Sequence, residues 1–277
     1  MLIVGERING TGKRVREAII ARDADFIADL ARRQAEAGAA YLDVNAGTGP
    51  ERDEQDMAWL VETVQGAVDK PLCVDSPNPA ALRAGLERHR GQALINSASA
   101  EAARMRPVIA LARKHGARLV ALTLDDSGLP ATAEQRLKIA RRLARAAFTA
   151  GIAPQDLFID PLAKSVATEN DQGLALLEAV AKIKEALPGC HIICGLSNVS
   201  FHMPARALLN RTFLTMAMAR GMDAVILDPL DRALMASLCA AQVLLGRDEM
   251  CAGYLQAYRA GRLEACPEQG RRGGAEH

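Results

Sequence analysis

Five short apolar runs in this chain each end in a carboxylate or a carboxamide. They occupy residues 41–45, 72–75, 93–96, 157–160 and 195–198. If the runs are parallel strands, their terminal Asp and Asn side chains converge at one end of the fold, because the C-terminal ends of such strands meet there. A ring of paired hydrogen-bond donors and acceptors suits a flat heterocycle with amide and amino groups.

Strand-like and helix-like segments alternate along the whole chain, which predicts an α/β fold. We predict strands at 2–6, 40–45, 71–75, 93–96, 118–123, 157–160, 191–196 and 223–228. Helices are predicted at 13–21, 25–37, 53–68, 79–87, 102–114, 132–150, 172–186, 206–219, 232–245 and 250–259. Eight successive β/α units indicate a single-domain (β/α)₈ TIM barrel over residues 1–262, followed by a disordered tail at 263–277.

One predicted helix shows a clear amphipathic period. Between residues 133 and 148, charged side chains that include Arg136 alternate with apolar ones that include Phe148. The period predicts that Arg136 faces solvent and that Phe148 faces the core. An open, doubly wound sheet is the alternative fold, but it requires a glycine-rich phosphate turn. Residues 10–13, Gly-Thr-Gly-Lys, lack that spacing, so we interpret them as a plain loop.

Composition excludes several classes of function. A net charge of +1 and 3% aromatic residues argue against nucleic-acid binding. No apolar stretch approaches the ~20 residues that a membrane span needs. Residues 1–6 are typical of a strand rather than a signal peptide, and the six cysteines form no C-x-x-C pair, so we expect a cytoplasmic protein with reduced thiols and no bound metal.

Polar residues are predicted to surround the C-terminal end of the barrel. They are Asn9, Asp43, Asn45, Asp75, Asn96, Asp160, Asn198 and Asp228. Helix capping or turn formation is the alternative role for each. For Asp228 we prefer the capping or turn role to a functional one, and for Asp75 both roles stay open. Asp160 and Asn96 have no obvious capping role, so a functional role is favoured for them. As a set, eight such residues at one mouth are costly to bury without a ligand.

Other chemistries lack their usual residues. Lys164 lies past a strand end, whereas a Schiff-base lysine normally lies on the strand. His202 fits a surface loop better than a general acid. No H-x-H, H-E-x-x-H or Ser-His-Asp arrangement is present, so hydrolytic chemistry is not predicted.

Seven sequence blocks together resemble a known family. They lie at residues 5–9 (Gly-Glu-Arg-Ile-Asn), 42–45, 73–76, 95–97, 159–162, 195–200 and 210–213. In this order and spacing they resemble the pterin-binding methyltransferases, and within them the methyltetrahydrofolate:corrinoid (iron–sulfur) protein methyltransferases. The resemblance implies a homodimer of (β/α)₈ barrels that transfers the N5-methyl group of methyltetrahydrofolate to a cob(I)alamin-type cofactor.

The resemblance also implies roles for individual residues. Asp75, Asn96 and Asp160 would hydrogen-bond the pterin, and Asn198 would lie near N5 as the catalytic residue with Asp43 as a possible proton relay. Further pocket residues would be Asn9, Asn45, Gly195, Ser197 and Arg206. The chain has neither the D-x-H-x-x-G motif of a corrinoid domain nor a cysteine set for an Fe–S cluster. A separate corrinoid protein is therefore expected to dock at the barrel mouth.

Two other functions share the same pterin site. A dihydropteroate synthase would need a Ser-Arg-Lys loop after strand seven and an Arg-x-His after strand eight. This chain instead has Ser197-Asn198-Val199 and Asp228-Pro229-Leu230 at those places. A folate-binding protein without turnover is the second alternative.

Overall fold

The computed structural model describes residues 1–168 and 171–263. Eight strands alternate with helices along these residues. The strands are β1 Leu2–Asn9, β2 Tyr41–Asn45, β3 Leu72–Asp75, β4 Leu94–Ser99, β5 Arg118–Leu122, β6 Leu157–Asp160, β7 His191–Ile192 and β8 Ala224–Leu227. The α-helices are α1 Lys13–Ala21, α2 Ala24–Glu36, α3 Asp53–Ala67, α4 Pro79–Arg88, α5 Ala102–His115, α6 Ala133–Thr149, α7 Gln172–Ala186, α8 Arg206–Ala219, α9 Arg232–Leu244 and α10 Ala252–Arg259.

The sheet closes into a barrel. Its strands are all parallel in the order β7-β6-β5-β4-β3-β2-β1-β8. The main chain after β7 completes the circle, because the amide of Ile226 donates to the carbonyl of Cys194 at 3.0 Å and that of Asp223 donates to Ile192 at 3.3 Å. The prediction of a (β/α)₈ barrel is confirmed.

Two apolar layers stabilise the barrel. Val4, Cys73, Leu94, Val120 and Phe158 fill its interior, together with neighbours from the other strands. A larger core lies between the outer face of the sheet and the helices. Because both faces of each strand are covered, the strands are nearly continuous apolar runs. Asp75, Asn96 and Asp160 lie at or near the C-terminal ends of their strands, so their polar groups are at the same end of the barrel.

Helix α6 corrects one prediction. Arg136, predicted to face solvent, is fully buried, whereas Phe148 is 39% exposed. The guanidinium group of Arg136 donates to the carbonyls of Pro161 at 2.8 Å and Ala131 at 3.1 Å, and to Oε1 of Gln172 at 3.2 Å. These acceptors come from segments around the barrel end and satisfy a charge that a helical period alone assigns to solvent. Arg136 thereby anchors the loop after β6.

Strand β7 is shorter than predicted. It covers His191–Ile192 rather than 191–196, and Leu196–Ser200 forms a 3₁₀ helix. The amide of Asn198 donates to the carbonyl of Gly195 at 3.3 Å, a local hydrogen bond that replaces sheet pairing. Asn198 therefore lies on a tight helical turn above the barrel and does not end a strand.

The C-terminal region is described only as far as Leu263. The predicted disorder at 263–277 falls, apart from Leu263 itself, outside the described residues, so it stays a prediction, as does a domain boundary at 262. Helix α10 begins later than predicted, because Met250 and Cys251 have φ values of 51° and 55°. No helix in the described ranges is long and apolar enough to cross a membrane.

Candidate active site

The C-terminal ends of the strands open into a cavity of about 670 Å³. This size is within the usual range for sites that bind small molecules. Eight of the residues predicted from the sequence line it: Asn9, Asp43, Asp75, Asn96, Asp160, Gly195, Ser197 and Asn198. The strand ends and the loops that follow them therefore bring together residues that are up to 189 positions apart, between Asn9 and Asn198.

Three carboxyl groups and one amide form what we call the acidic floor: Asp43, Asp75, Asn96 and Asp160. Asp75 lies beside Asn96 in the register of β3 and β4. Oδ2 of Asp75 accepts a hydrogen bond from Nδ2 of Asn45 at 2.9 Å. Asp43 is 2% exposed, and its Oδ1 has no hydrogen-bond partner among the described residues. The floor thus contains a buried acceptor that a ligand can satisfy.

Burial raises the pKa of all three floor carboxyl groups. It raises the pKa of Asp160 to about 7 and that of Asp75 to about 6. For Asp43, burial and then the neighbouring charge of Asp75 raise the pKa well above its ordinary value. A raised pKa means that the ionised group lacks the hydration it has in water. Ligand N–H groups that donate to these carboxylates would restore that stabilisation.

Asp160 also forms a local hydrogen bond that the sequence did not indicate. Its Oδ1 accepts from the amide of Leu162 at 2.7 Å, so the expectation of no turn role was wrong. The carboxyl group nevertheless lines the cavity. Asn9 is similar, because its Oδ1 accepts from the amide of Thr11 at 3.0 Å and from the Thr11 hydroxyl at 2.7 Å. The side-chain amide nitrogen of Asn9 is the atom that can donate a hydrogen bond to a ligand.

Asn198 differs from the floor residues because it is exposed at the cavity wall. None of the described residues forms a hydrogen bond with its side-chain amide. Gly195 has an ordinary φ of −70°, but a Cβ atom there would lie 3.0 Å from Nδ2 of Asn198. Glycine at 195 is therefore a matter of space for the Asn198 amide rather than of backbone conformation.

Side chains hold the Asn198 loop from two sides. The Ser197 hydroxyl lies 3.0 Å from both carboxylate oxygens of Glu6, to which it donates. Arg206 donates from Nη2 to the carbonyl of Ser197 at 2.8 Å and from Nε to the Ser200 hydroxyl at 3.1 Å. Burial raises the pKa of Glu6, while the Ser197 hydrogen bond opposes that rise. The loop geometry thus depends on tertiary contacts.

Two residues that were predicted to contact the pterin do not line the cavity. Asn45 lies behind Asp75 and orients its carboxylate. Arg206 lies behind the Asn198 loop, where its guanidinium group donates to the Ser197 carbonyl and the Ser200 hydroxyl. These polar groups contact lining residues, and direct contact of either one with a pterin stays a prediction. Neither Lys164 nor His202 lines it.

Sequence reasoning missed four lining residues with charged side chains: Glu6, Arg7, Lys13 and Arg14. The signal available for Glu6 was a carboxylate within an apolar strand, close to its C-terminal end. Lys13 follows the Gly-Thr-Gly segment that was interpreted as a plain loop. That loop contributes to the cavity wall, so the interpretation was incomplete.

The fold and the site define a (β/α)₈ barrel with an acidic cavity at its catalytic end. Comparisons with known proteins agree with this class. The model of the family described as "Pterin binding enzyme" matches residues 5–228. The chain is 39% identical over 265 residues to a methylcorrinoid:tetrahydrofolate methyltransferase of Eubacterium limosum, which covers 95% of this chain and 98% of the relative.

Two further similarities are more distant. The chain is 34% identical over 239 residues to a methionine synthase of Mycobacterium tuberculosis, with 82% of this chain and 20% of that protein aligned. Among solved structures, a Xanthomonas albilineans dihydropteroate synthase superposes with a TM-score of 0.68 at 20% identity, covering 88% of this chain and 92% of the other. That likeness shows the fold alone. The chain belongs to the pterin binding enzyme family, in which it is a methyltransferase.

Proposed function

We propose that the chain transfers a methyl group between N5 of tetrahydrofolate and the cobalt of a corrinoid carried by a separate protein. The observation that supports it most is the meeting of Asp75, Asn96, Asp160 and Asn198 around one cavity. The Eubacterium limosum relative, whose name joins a methylcorrinoid to tetrahydrofolate, supports this pair of substrates.

The acidic floor would bind the pterin ring. The 2-amino-4-oxo pyrimidine edge presents adjacent N–H donors, and the carboxylates of Asp75 and Asp160 can accept from them in charge-assisted hydrogen bonds. Asn96 can donate to ring acceptors and accept from ring N–H groups at the same time. The unpaired Oδ1 of Asp43 is a further acceptor for a ring donor.

Asn198 would act on the leaving group. When methyltetrahydrofolate reacts, the N5–CH₃ bond breaks as the Co–CH₃ bond forms, and the two electrons of the new bond come from cob(I). The electron pair of the broken bond stays on N5, which gains a proton. A side-chain hydrogen bond from Asn198 to N5 that strengthens during this change lowers the barrier, typically by about 3–4 kcal/mol per donor.

The proton at N5 needs a separate source, because an asparagine amide does not titrate. Asp43 is the candidate relay within this chain, since burial and the neighbouring Asp75 raise its pKa well above the ordinary value and so favour its protonated form. An ordered water would complete the path to N5. In the opposite direction, N5 attacks the methyl group of the methylcorrinoid and the proton leaves by the same route.

The corrinoid would reach the site on its partner protein, which docks at the mouth of the barrel. The family resemblance further leads us to propose a homodimer in the cytoplasm. Light scattering of the purified chain tests the dimer, and a single-chain mass would contradict it.

The decisive test mixes the purified chain with methyltetrahydrofolate and chemically reduced cobalamin, and follows methylcobalamin by its absorbance. We expect product, and in the reverse assay we expect methyltetrahydrofolate from methylcobalamin and tetrahydrofolate. Folate binding without product in either direction would leave only a binding protein. Dihydropteroate formation from p-aminobenzoate and the pterin diphosphate would identify a synthase instead.

A further inference from the structure

The cavity has opposite charges at its two ends. The acidic floor lies at the strand ends, where Asp43 and Asp160 are buried. Three cationic residues, Arg7, Lys13 and Arg14, line the same cavity from β1 and the start of α1, and all three are exposed. We call these three residues the basic rim.

The basic rim is only weakly neutralised by the protein itself. Nη1 of Arg7 lies 3.4 Å from Oδ2 of Asp228, in a pair that is partly exposed to solvent. Nζ of Lys13 lies 4.0 Å from Oε1 of Glu17, and the Lys13 side chain is 90% exposed. Arg14 has no carboxylate within ion-pair distance among the described residues. The mouth therefore carries positive charge that an anion can use.

Arg14 is also held in place. Its guanidinium carbon lies 4.7 Å from the centre of the Phe26 ring, a cation–π contact with helix α2. A held cation loses less conformational freedom when it binds an anion than a freely moving one does. The contact leaves its N–H groups able to donate at the cavity edge.

A second basic surface provides a contrast. Lys138, Arg141, Arg142 and Arg145 lie along the outer face of α6, where they border a separate surface depression. None of them lines the cavity at the barrel mouth. Such a strip is an ordinary solvated helix face. The basic rim is distinguished from it by opening into the same space as the acidic floor.

We propose that the basic rim binds the glutamate carboxylates of the folate tail, so that the preferred substrate is a polyglutamylated folate. This inference rests on the proposed function. A folate has a pterin head rich in N–H donors, an aromatic spacer and a tail that gains one carboxylate with each γ-linked glutamate. The charge order of the cavity matches the order of these parts, with the head at the floor and the tail at the mouth.

The expected preference is moderate, because exposed ion pairs are weak. Two added glutamates that meet two rim cations should tighten binding roughly 3- to 10-fold at low ionic strength. The preference should shrink in about 0.5 M salt, where the Debye length falls to about 4–5 Å. Binding of the pterin head should depend far less on salt.

The test measures equilibrium binding of three ligands without any corrinoid protein. They are methyltetrahydrofolate with one glutamate, the same compound with three glutamates, and a 5-methyltetrahydropterin that lacks the tail. The variant Lys13→Ala/Arg14→Ala is compared with Lys138→Ala/Arg142→Ala, which removes the same charge from the α6 face. We expect the rim variant alone to lose the triglutamate preference while it binds the tailless pterin as the wild type does.

Equal binding of the mono- and triglutamate forms to the wild type would overturn the inference, as would a preference that survives in the rim variant. If the preference survives, a separate methyl-transfer assay in which the rim variant reacts more slowly with a corrinoid protein would assign the rim to that partner instead. These results leave the proposed function standing. If the wild type bound none of the three ligands, this inference and the proposed function would both be refuted.

Discussion

The same tripeptide, Asp-Pro-Leu, occurs at the C-terminal ends of two strands of the barrel, and both copies form the same side-chain hydrogen bond. After β6, Oδ1 of Asp160 accepts from the amide of Leu162 at 2.7 Å. After β8, Oδ1 of Asp228 accepts from the amide of Leu230 at 2.9 Å. The two aspartates therefore accept the same local hydrogen bond, although the backbones differ, since Leu162 has a φ of 62° and Leu230 is not in the left-handed region.

Their surroundings differ. Asp160 is 8% exposed and lines the cavity, and burial raises its pKa to about 7. The Asp228 side chain is 29% exposed, lies outside that cavity and pairs with Arg7. One carboxyl group is available to a ligand in a desolvated site, whereas the other serves a turn and an ion pair. The shared tripeptide supplies the same local hydrogen bond, and its place in the barrel determines the chemistry of the carboxyl group.

The largest effect is expected at Asn198, which separates chemistry from binding. Asn198→Ala should lower the single-turnover rate of methyl transfer about 10²- to 10³-fold, because a donor that acts mainly in the transition state is lost. Methyltetrahydrofolate affinity should change less than about threefold, since the floor retains the ring. Equal losses of rate and affinity would refute the role of Asn198.

The two Asp-Pro-Leu turns provide a matched pair of variants. Asp160→Asn should weaken methyltetrahydrofolate binding about 10- to 100-fold, because a charge-assisted hydrogen bond contributes about 1.5–3 kcal/mol. Asp228→Asn preserves the same turn acceptor and should change affinity less than about twofold. Equilibrium binding of both variants is the measurement, and similar losses of affinity would show that binding does not depend specifically on the carboxyl group in the cavity.

Binding should weaken as the pH falls. The floor carboxyl groups form charge-assisted hydrogen bonds with N–H donors only when ionised, and in the free protein their pKa values are about 7 for Asp160 and about 6 for Asp75. Affinity is thus almost fully present at about pH 8 and is lost as the pH falls through 7 and 6, with an expected decrease of about 10- to 20-fold from pH 8 to pH 6. Asp160→Asn should flatten the upper part of this profile. A wild-type profile that does not change over this range would contradict the floor assignment.

The smallest effect is expected where side chains hold the catalytic loop. Ser197→Ala removes the hydrogen bond to Glu6 and should lower the methyl-transfer rate about five- to tenfold, consistent with the loss of about 1–1.5 kcal/mol. Affinity should remain within about twofold, because the floor is untouched. Ser127→Ala, in the turn after β5 outside the cavity, is a control that removes a comparable hydroxyl hydrogen bond to a carboxylate. A Ser197→Ala enzyme as fast as this control would mean that Glu6 does not position the loop.

Much of the barrel was predictable because its signals are local. Each apolar run followed by an amphipathic segment reports a β/α unit, and closure then places the strand ends together. The floor residues Asp75, Asn96 and Asp160 terminate or lie near the ends of such runs, so their meeting follows from strand direction alone. Asp43 was found in the same way, from its position near the end of β2.

The remaining features depend on contacts that the periodicity of the sequence does not report. The helical period predicts that Arg136 is exposed to solvent, yet it is buried because its guanidinium group donates to Pro161 and Gln172 in other segments and to Ala131 just before its own helix. Glu6 meets Ser197 across 191 positions, and no pattern near either residue indicates this. The turn that carries Asn198 replaced a predicted strand, because local hydrogen bonds there prevail over sheet pairing.

The amino-acid sequence by itself determined the alternation of strands and helices, the number of units and the polar ends of the strands, since these depend on short-range periodicity. The tertiary structure decided which polar groups are desolvated, which ones support their neighbours and where the basic rim faces the acidic floor. Burial and charge proximity are properties of the packed barrel. The two identical tripeptides differ in chemistry because the barrel buries the carboxyl group of Asp160 and leaves that of Asp228 partly exposed.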